Sequence, residues 1–513
     1  MKSPCDAPSV SPPRPQRSQA RPEILLRVAL WSTLIAVVSY TRTDPDLWGH
    51  VRFGLDILRD LSIPSIDPYS FTSDREWVNH EWAAEAITAG AFRIAGNPGL
   101  VLLKVAAVLS YCFVLQSMLR REGVGNALSR DVIAAIAIVT TAEQAHHVRP
   151  QLVSLVCFAV LLWCLTQGAR AHNYRWLVVL PPLFAVWANC HGGWIVGGAI
   201  LILFTIGLAI GGALKPAAWC TTAGTASLAA TLTTPYGFGL WRFLGKTVGF
   251  ARADIGEWQP IYVLDPHIWF LWLMVFGLAA LGLVHTRRAD VRPERWLVVA
   301  ALAVMSLQVS RLLAFFALAT LFFFGAAIAQ KLKPRPVAHS VDRRFPLQAV
   351  AAVALCVIMI AVPAIALNAA GVRIDPRHSP EATAVEFLKS RTGTARVLVW
   401  FDWGQYAIWH LPSGMQVSID GRRETVYSAA LQERHLRFYF DPPGGAALPR
   451  ELDADYVWIP RSLPAARKLR MQKDWALVYE GEQSEIFERA GGDSPRVRAT
   501  QLALGPTRRF PGP

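Results

Sequence analysis

Charged side chains are scarce in this sequence. Asp, Glu, Lys and Arg make up 17% of its 513 residues, whereas a soluble globular protein carries about 25%. Hydrophobic residues account for 53% of the chain, and they are gathered into long runs that suit the apolar interior of a bilayer. The shortage of charge therefore excludes an ordinary soluble domain and indicates a mainly α-helical protein that crosses a membrane several times.

The cysteines lack the spacing that a disulfide framework or a zinc site requires. No Cys-x-x-Cys pair occurs, and six of the seven cysteines lie in or beside apolar runs: Cys112, Cys157, Cys164, Cys190, Cys220 and Cys356. In such surroundings a cysteine packs as a small hydrophobic side chain. Neither disulfides nor a structural zinc site is predicted.

Acidic residues are fewer than basic ones, and the formal net charge is +14. The basic residues are concentrated in every second loop between the apolar runs, for example Arg120 and Arg121, Arg287 and Arg288, Lys331 and Lys333. This alternation follows the positive-inside rule, so the charge requires no nucleic-acid partner. It predicts a cytoplasmic N-terminus and an extracytoplasmic C-terminus.

Eleven apolar segments are predicted to span the membrane. They lie at 24–40, 98–119, 131–142, 151–167, 174–190, 193–214, 217–233, 267–285, 296–309, 312–330 and 347–369. Residues 296–330 could also form one long bent helix, although basic residues on both flanks favour two. Together these segments predict a transmembrane helical domain over 23–370, preceded by a disordered basic tail over 1–22.

The composition changes after the last apolar run. Residues 371–490 read as a small α/β domain with short strands near 396–401, 416–419, 456–459, 475–479 and 484–488, separated by helical stretches. Asp420, Arg422 and Tyr427 follow predicted strands, where ligand sites tend to lie in α/β domains. They could equally form structural turns and ion pairs, which is the interpretation we favour. Residues 491–513 are predicted to be a second disordered tail.

The loop that follows the first apolar run, at 42–96, is too long to be a simple connection. An amphipathic pattern that starts at Asp46 predicts one helix lying in the membrane interface. A second helix is predicted from His80 to about Ile94, with Asn79 as its N-cap. The loop is therefore expected to be a structured element of the protein.

Ionisable side chains are found in the loop at 42–96 and in the other loops that are predicted to lie outside the cytoplasm. Such groups at the ends of apolar helices indicate a functional site. The candidates are Asp44, Asp46, His50, His80, Glu81, His147, Arg149, His191, Glu257 and Arg311.

The two aspartates directly follow the first apolar run. Asp46 could simply cap the next helix, an explanation that does not extend to Asp44, so we favour Asp44 as a general base. A pair of carboxylates would also suit a divalent metal ion, and metal dependence stays open. Arg149 and Arg311 could each clamp a phosphate or extend to the membrane interface; the long apolar stretch around Arg311 makes it the better phosphate ligand.

With these residues the chain resembles the GT-C class of polytopic glycosyltransferases, particularly bacterial relatives of the protein mannosyltransferase and aminoarabinose transferase families. The resemblance rests on the acidic motif Thr43 to Asp46 after the first span, on the long loop with two interfacial helices that follows, on the many further spans and on the trailing extracytoplasmic domain. The chain is also similar to bacterial membrane proteins that carry Asp-Pro-Asp-Leu-Trp-x-His and Asn-His-Glu-Trp elements, here Asp44–His50 and Asn79–Trp82. The resemblance covers residues 24–370. It implies a sugar donor linked to polyprenyl phosphate and an acid after the first span that activates the acceptor.

The resulting hypothesis is an inverting sugar transfer at the outer face of the cytoplasmic (inner) membrane, to a lipid, glycan or protein acceptor. Asp44 or Asp46 would be the base, Arg311 or Arg149 would hold the lipid phosphate, and the remaining candidates would line the pocket. The alternative is a non-enzymatic protein, either a transporter or a scaffold that presents the C-terminal domain. A transporter would place polar groups near the midplane, often in inverted repeats, and the sequence contains no repeat.

Overall fold

The computed structural model describes residues 20–170, 173–247, 255–286, 292–331, 344–376, 379–391, 393–440, 445, 447–491, 497–498 and 509–512. Most of them are helical, and a small mixed sheet lies near the C-terminus. The predicted tail at 1–22 falls almost entirely outside the described residues.

Each of the eleven predicted apolar segments is helical. The helices of this part of the chain are α1 (Ala20–Ser39), α2 (Leu47–Asp60), α3 (Trp82–Arg121), α4 (Ala127–Thr140), α5 (Gln151–Arg170), α6 (Leu180–Cys190), α7 (Trp194–Ile210), α8 (Leu214–Ala230), α9 (Phe238–Thr247), α10 (Pro266–His285), α11 (Pro293–Gln308), α12 (Leu313–Lys331) and α13 (Arg344–Ala369).

Five helical stretches within the described ranges are long and apolar enough to cross a membrane. They are Trp82–Arg121, Gln151–Ala169, Pro266–His285, Ser310–Lys331 and Gln348–Ala369. The chain is therefore a multi-pass membrane protein.

The stretch 296–330 forms two helices, as favoured from its basic flanks. Val309 has extended backbone angles (φ −135°, ψ 101°) and ends α11. The Trp296 ring near the start of α11 stacks on Phe324 near the end of α12 at 4.2 Å between ring centroids. Because the start of one helix meets the end of the other, the two helices run antiparallel.

The loop at 42–96 contains the two predicted helices, but the second one starts two residues later than expected. It starts at Trp82 as part of α3, and Asn79 accepts a hydrogen bond from the Glu81 backbone N–H (3.2 Å) without being the N-cap residue. At its other end, Gly96 has non-helical angles (φ 59°, ψ −142°). The helical backbone is therefore interrupted at Gly96, where the second helix was predicted to end, and only glycine adopts this conformation easily.

Helix α2 is covered on two sides. A Cβ atom at Gly54 would collide with the Glu85 carbonyl on α3, and a Cβ atom at Gly49 would collide with Gln405 in the C-terminal part of the chain. These two glycines allow α2 to lie between α3 and the C-terminal part.

The C-terminal part contains all five predicted strands and one more. The strands are β1 (Ala395–Val399), β2 (Met415–Val417), β3 (Tyr456–Pro460), β4 (Trp475–Glu480), β5 (Ser484–Arg489) and β6 (Val497–Arg498), in the order β2-β1-β3-β5-β4-β6. Strand β1 pairs in parallel with β2 and β3, while β5 is antiparallel to β3 and β4. The helices here are α14 (Ala382–Lys389), α15 (Gly404–His410), α16 (Ala429–Phe440) and α17 (Pro464–Leu469).

Residues 509–512 are packed against this part of the protein, which corrects the expectation of a disordered tail at those positions. Phe510 is 1% exposed and its ring lies 5.7 Å from Trp48 and 5.6 Å from Trp409. The Trp48 indole N–H donates to the Pro511 carbonyl at 2.8 Å. Burial of an aromatic ring provides the free energy to hold this short segment in place.

Candidate functional site

Eight of the ten candidate residues form one network of contacts at the ends of the helices, and His50 and His147 have other partners. They come from the α1–α2 connection and α2 itself, the start of α3, and the connections before α5, before α7, before α10 and before α12. The central members are Asp44, Asp46, Arg149, Glu257 and Arg311, which we call the carboxylate–arginine cluster.

Arg149 is the centre of this cluster. Its Nε donates to Asp44 Oδ2, its Nη2 lies 3.6 Å from Asp46 Oδ2, and its Nη1 lies 3.5 Å from Glu257 Oε2. Burial alone would lower the pKa of Arg149, but the three carboxylates raise it. The guanidinium is therefore charged and is held by acidic partners from two other connections.

The two aspartates have different surroundings. The Asp44 side chain is 3% exposed, and its Oδ1 accepts a hydrogen bond from the Asp46 backbone N–H at 3.0 Å. Burial would raise the pKa of Asp44, but the positive charges of Arg149 and His50 lower it. Asp44 is thus a buried, ionised carboxylate that orients Arg149 and closes the turn before α2.

Asp46 is the more available carboxylate. Its side chain is 30% exposed and makes no N-cap hydrogen bond to α2, so the capping explanation does not hold. Loss of hydration, reinforced by the negative charge of Asp44, raises the pKa of Asp46 to about 7. A carboxylate with such a pKa can take up a proton near neutral pH.

Arg311 connects Glu257 to His191. Its Nη1 lies 3.0 Å from Glu257 Oε1, and its Nη2 lies 3.0 Å from His191 Nε2. Burial and the charge of Arg311 lower the pKa of His191, so the ring is neutral and its Nε2 can accept from the guanidinium. On the other side, Ser154 Oγ lies 2.7 Å from His191 Nδ1, and a Cβ atom at Gly193 would collide with this serine.

His80 and Glu81 both face this network, although adjacent residues on a helix would point in different directions. Both precede α3, and Glu81 Oε1 lies 3.7 Å from His191 Nε2 and 3.8 Å from His80 Nε2. The buried Nδ1 atom of His80 has no hydrogen-bond partner among the described residues. The non-helical backbone before Trp82 is what brings the two side chains together.

His50 belongs to a second pair that the sequence analysis missed. Its Nδ1 lies 3.2 Å from Glu85 Oε1, and the Asn79 amide donates to Glu85 Oε2 at 2.6 Å. Burial would lower the pKa of His50, but the hydrogen bond with Glu85 and the charge of Glu81 raise it to about 9. Glu85 lies four residues after Glu81, and this spacing would place both side chains on one face of the predicted helix. It is the sequence feature that could have identified Glu85 as a site residue.

Glu85→Gln is expected to destabilise the protein mainly below pH 6.5. Because the folded-state pKa of His50 lies above its ordinary value of 6.5, the His50–Glu85 pair contributes its full stability below pH 6.5 and loses it as the pH rises through about 9. Melting temperatures of wild type and variant, measured across this range, should therefore converge at alkaline pH. A constant difference would contradict a charged His50.

His147 lies beside the cluster and is uncharged. Its Nδ1 lies 3.2 Å from the Arg42 carbonyl, to which it donates. Burial and the charge of Arg149 lower its pKa, although Asp44 opposes this effect. His147 thus presents a neutral ring close to Asp44.

Among the described residues, no group of three or more His, Cys, Asp or Glu side chains is placed to hold a metal ion. The positive partner of both Asp44 and Asp46 is the Arg149 guanidinium.

The C-terminal part forms one wall beside Asp46. A Cβ atom at Gly421 would collide with Asp46 Oδ1 and would lie 2.9 Å from Gln405 Nε2. Neither residue was among the sequence candidates, because nothing local in 404–421 indicates proximity to the first loop. The site is therefore built from the helical part and the C-terminal part together.

Arg422, next to Gly421, connects these two parts through buried ion pairs. It donates to Asp67 at 2.7 and 2.9 Å and to Asp420 at 2.9 and 2.7 Å. Its guanidinium also lies over three aromatic rings, at 5.0 Å from Phe53, 5.3 Å from Tyr69 and 4.7 Å from Trp77. The interpretation of Asp420 and Arg422 as ion-pair residues is confirmed.

No protein-family model matches the sequence, and no curated protein matches it by sequence. Solved structures match its fold. ArnT from Cupriavidus metallidurans bound to undecaprenyl phosphate has a TM-score of 0.59 at 13% identity, covering 96% of this chain and 100% of that one. The Archaeoglobus fulgidus oligosaccharyltransferase in complex with Zn and sulfate has a TM-score of 0.55 at 12% identity, covering 86% and 69%. The chain has a GT-C-like fold.

Proposed function

We propose that this protein is an integral membrane glycosyltransferase that moves a sugar from a polyprenyl-phosphate-linked donor to a lipid, glycan or protein acceptor. The observation that carries the proposal is the carboxylate–arginine cluster, which lies at one end of the helices of a GT-C-like fold. It combines a carboxylate suited to accept a proton with guanidinium groups suited to a phosphate.

The proposed base is Asp46, which revises our preference for Asp44 from the sequence. Asp46 is partly exposed and its pKa is raised to about 7, whereas Asp44 already accepts from Arg149 and from a backbone N–H. In the reaction, Asp46 takes the proton of the acceptor hydroxyl while the oxygen of that hydroxyl forms the bond to the anomeric carbon. The bond between that carbon and the phosphate oxygen breaks, and polyprenyl phosphate leaves.

The proposed ligand of the donor phosphate is Arg311. Arg149 faces three carboxylates, while Arg311 has Glu257 as its acidic partner and His191 as a neutral one. A guanidinium has five N–H donors, so donors remain on Arg311 for a phosphate. Glu257 would hold both arginines in place, because its two oxygens face one guanidinium each.

The remaining candidates are proposed to line the substrate pocket. His80, Glu81 and His191 lie close together on one side of the cluster. His147, which contacts the Arg42 carbonyl, and His50, which pairs with Glu85, complete the set. Their neutral or ion-paired rings would supply hydrogen bonds to sugar hydroxyls.

The proposed topology has eleven membrane spans, a cytoplasmic N-terminus and a C-terminal α/β domain outside the cytoplasm. The positive-inside pattern of the loops supports this orientation, and it would place the cluster at the outer face of the membrane. A helix at each of the predicted segments supports the span count.

The proposal is tested by sugar transfer from radiolabelled polyprenyl-phosphate donors, using the purified full-length chain in micelles. The rate is expected to rise with pH and level off above about pH 7, because only ionised Asp46 can take the acceptor proton. A rate that is independent of pH between about pH 5 and 9 would contradict a base with this pKa.

A further inference from the structure

Three arginines are brought side by side where α1 and α13 end. The backbone pairs Arg42 with Arg373 in a parallel bridge, and Arg373 with Arg509 in an antiparallel bridge. The hydrogen bonds from the Arg373 N–H to the Thr41 carbonyl (2.9 Å) and from the Thr43 N–H to the Arg373 carbonyl (2.8 Å) define the first bridge. Directly paired residues of neighbouring strands point to the same face, so the three side chains share one face.

These arginines carry more positive charge than their surroundings neutralise. Arg42 and Arg373 lie over the same Tyr40 ring, at 5.4 and 5.1 Å from its centroid. In the part of the chain that the structure describes, their carboxylate partner is Asp375, 3.6 Å from Arg42. The Arg42 side chain is 42% exposed, and Arg373 and Arg509 are exposed as well. Like charges at directly paired positions repel, and an anion between them would remove this cost.

The same Tyr40 ring closes one end of an open groove between α1 and α13. The groove has a volume of about 570 Å³ and is lined mainly by apolar side chains, including Val37, Ile360, Ala361 and Ala364, with His146 near Tyr40. Helix α13 is largely exposed: only 11% of the most hydrophobic stretch within Gln348–Ala369 is buried. The groove therefore opens toward the surface that membrane lipids would cover.

We propose that the groove and the three arginines form a binding site for an acidic phospholipid. One acyl chain would lie in the groove between α1 and α13, and the phosphate would lie on Arg42, Arg373 and Arg509. The occupant is a bilayer phospholipid because the groove faces the lipid-exposed side of α13. The site is separate from the proposed transfer reaction and does not depend on it.

The test is binding of phosphatidylglycerol and phosphatidylcholine to the purified full-length chain, measured by native mass spectrometry in a neutral detergent. Phosphatidylglycerol is expected to bind more tightly. Replacing all three arginines (R42Q, R373Q, R509Q) should weaken its binding by about 100-fold, roughly fivefold for each arginine. The charge-matched control R59Q, R434Q, R437Q removes three exposed arginines elsewhere and should leave binding unchanged.

A second pair of variants tests the groove. A364W fills it, whereas A366W adds the same side chain at an exposed position of α13 that does not line it. Weaker phosphatidylglycerol binding in A364W alone supports the proposal. The proposal is overturned if the triple arginine variant and its charge-matched control lose phosphatidylglycerol binding equally, or if A364W binds this lipid as well as the wild type does. Tighter binding of polyprenyl phosphate than of phosphatidylglycerol would overturn it as well. If the triple variant does not fold, R373Q alone provides the same comparison with R434Q.

Discussion

Asp46→Asn is expected to lower the rate of sugar transfer by about 10²- to 10⁴-fold, the usual contribution of a general base. The amide keeps the size of the side chain but cannot accept the acceptor proton. Asp46 also makes no cap hydrogen bond to α2, so the substitution should change the melting temperature little. The measurement is turnover of a radiolabelled polyprenyl-phosphate donor, with the melting temperature recorded on the same sample.

Two further variants isolate the role of Asp46. Asp60→Asn removes a carboxylate from the exposed end of the same helix, where it pairs with Arg59 at 2.7 Å, and should leave turnover unchanged. Asp44→Asn should lower both turnover and stability, because Arg149 then loses its buried partner. If Asp44→Asn abolishes transfer while Asp46→Asn retains it, the base is Asp44.

Arg422→Gln is expected to destabilise the protein by about 3–5 kcal/mol, the usual result of removing one partner of a buried ion pair. Asp67 and Asp420 would keep their negative charges in a site where both side chains are 0% exposed. The cation–π contacts with three rings would be lost as well. Thermal or denaturant unfolding of the purified protein in micelles measures the change.

Arg434→Gln is the matched control for this effect. Arg434 also forms a close ion pair, 2.6 Å to Glu451, but the two side chains are 46% and 53% exposed. An exposed pair contributes at most about 1 kcal/mol. Equal stability losses in the two variants would show that Arg422 does not connect the first loop to the C-terminal part as a buried ion pair.

Much of the fold could be predicted because its signals are local. The apolar runs marked eleven segments that are helical, an amphipathic pattern marked α2, and short apolar runs marked the strands of the C-terminal part. Helix α9 (Phe238–Thr247) was not predicted, because it lies in a stretch that was interpreted as a loop. The exceptions have physical reasons as well. The second helix of the first loop starts at Trp82 and not at His80, because Glu81 has non-helical backbone angles and is the N-cap residue. Residues 509–512 read as a tail because the burial of Phe510 depends on distant rings.

The sequence by itself determined which residues could serve a site, because ionisable groups beside apolar helices stand out against their neighbours. Only the tertiary structure decided how they pair. Asp44 and Arg149 are 105 positions apart, and Arg311 and His191 are 120 positions apart. Their contact depends on which helices pack side by side, and periodicity does not encode that choice. The tertiary structure also distinguished Asp44 from Asp46, because the balance between burial and the position of Arg149 lowers the pKa of the first and leaves that of the second raised.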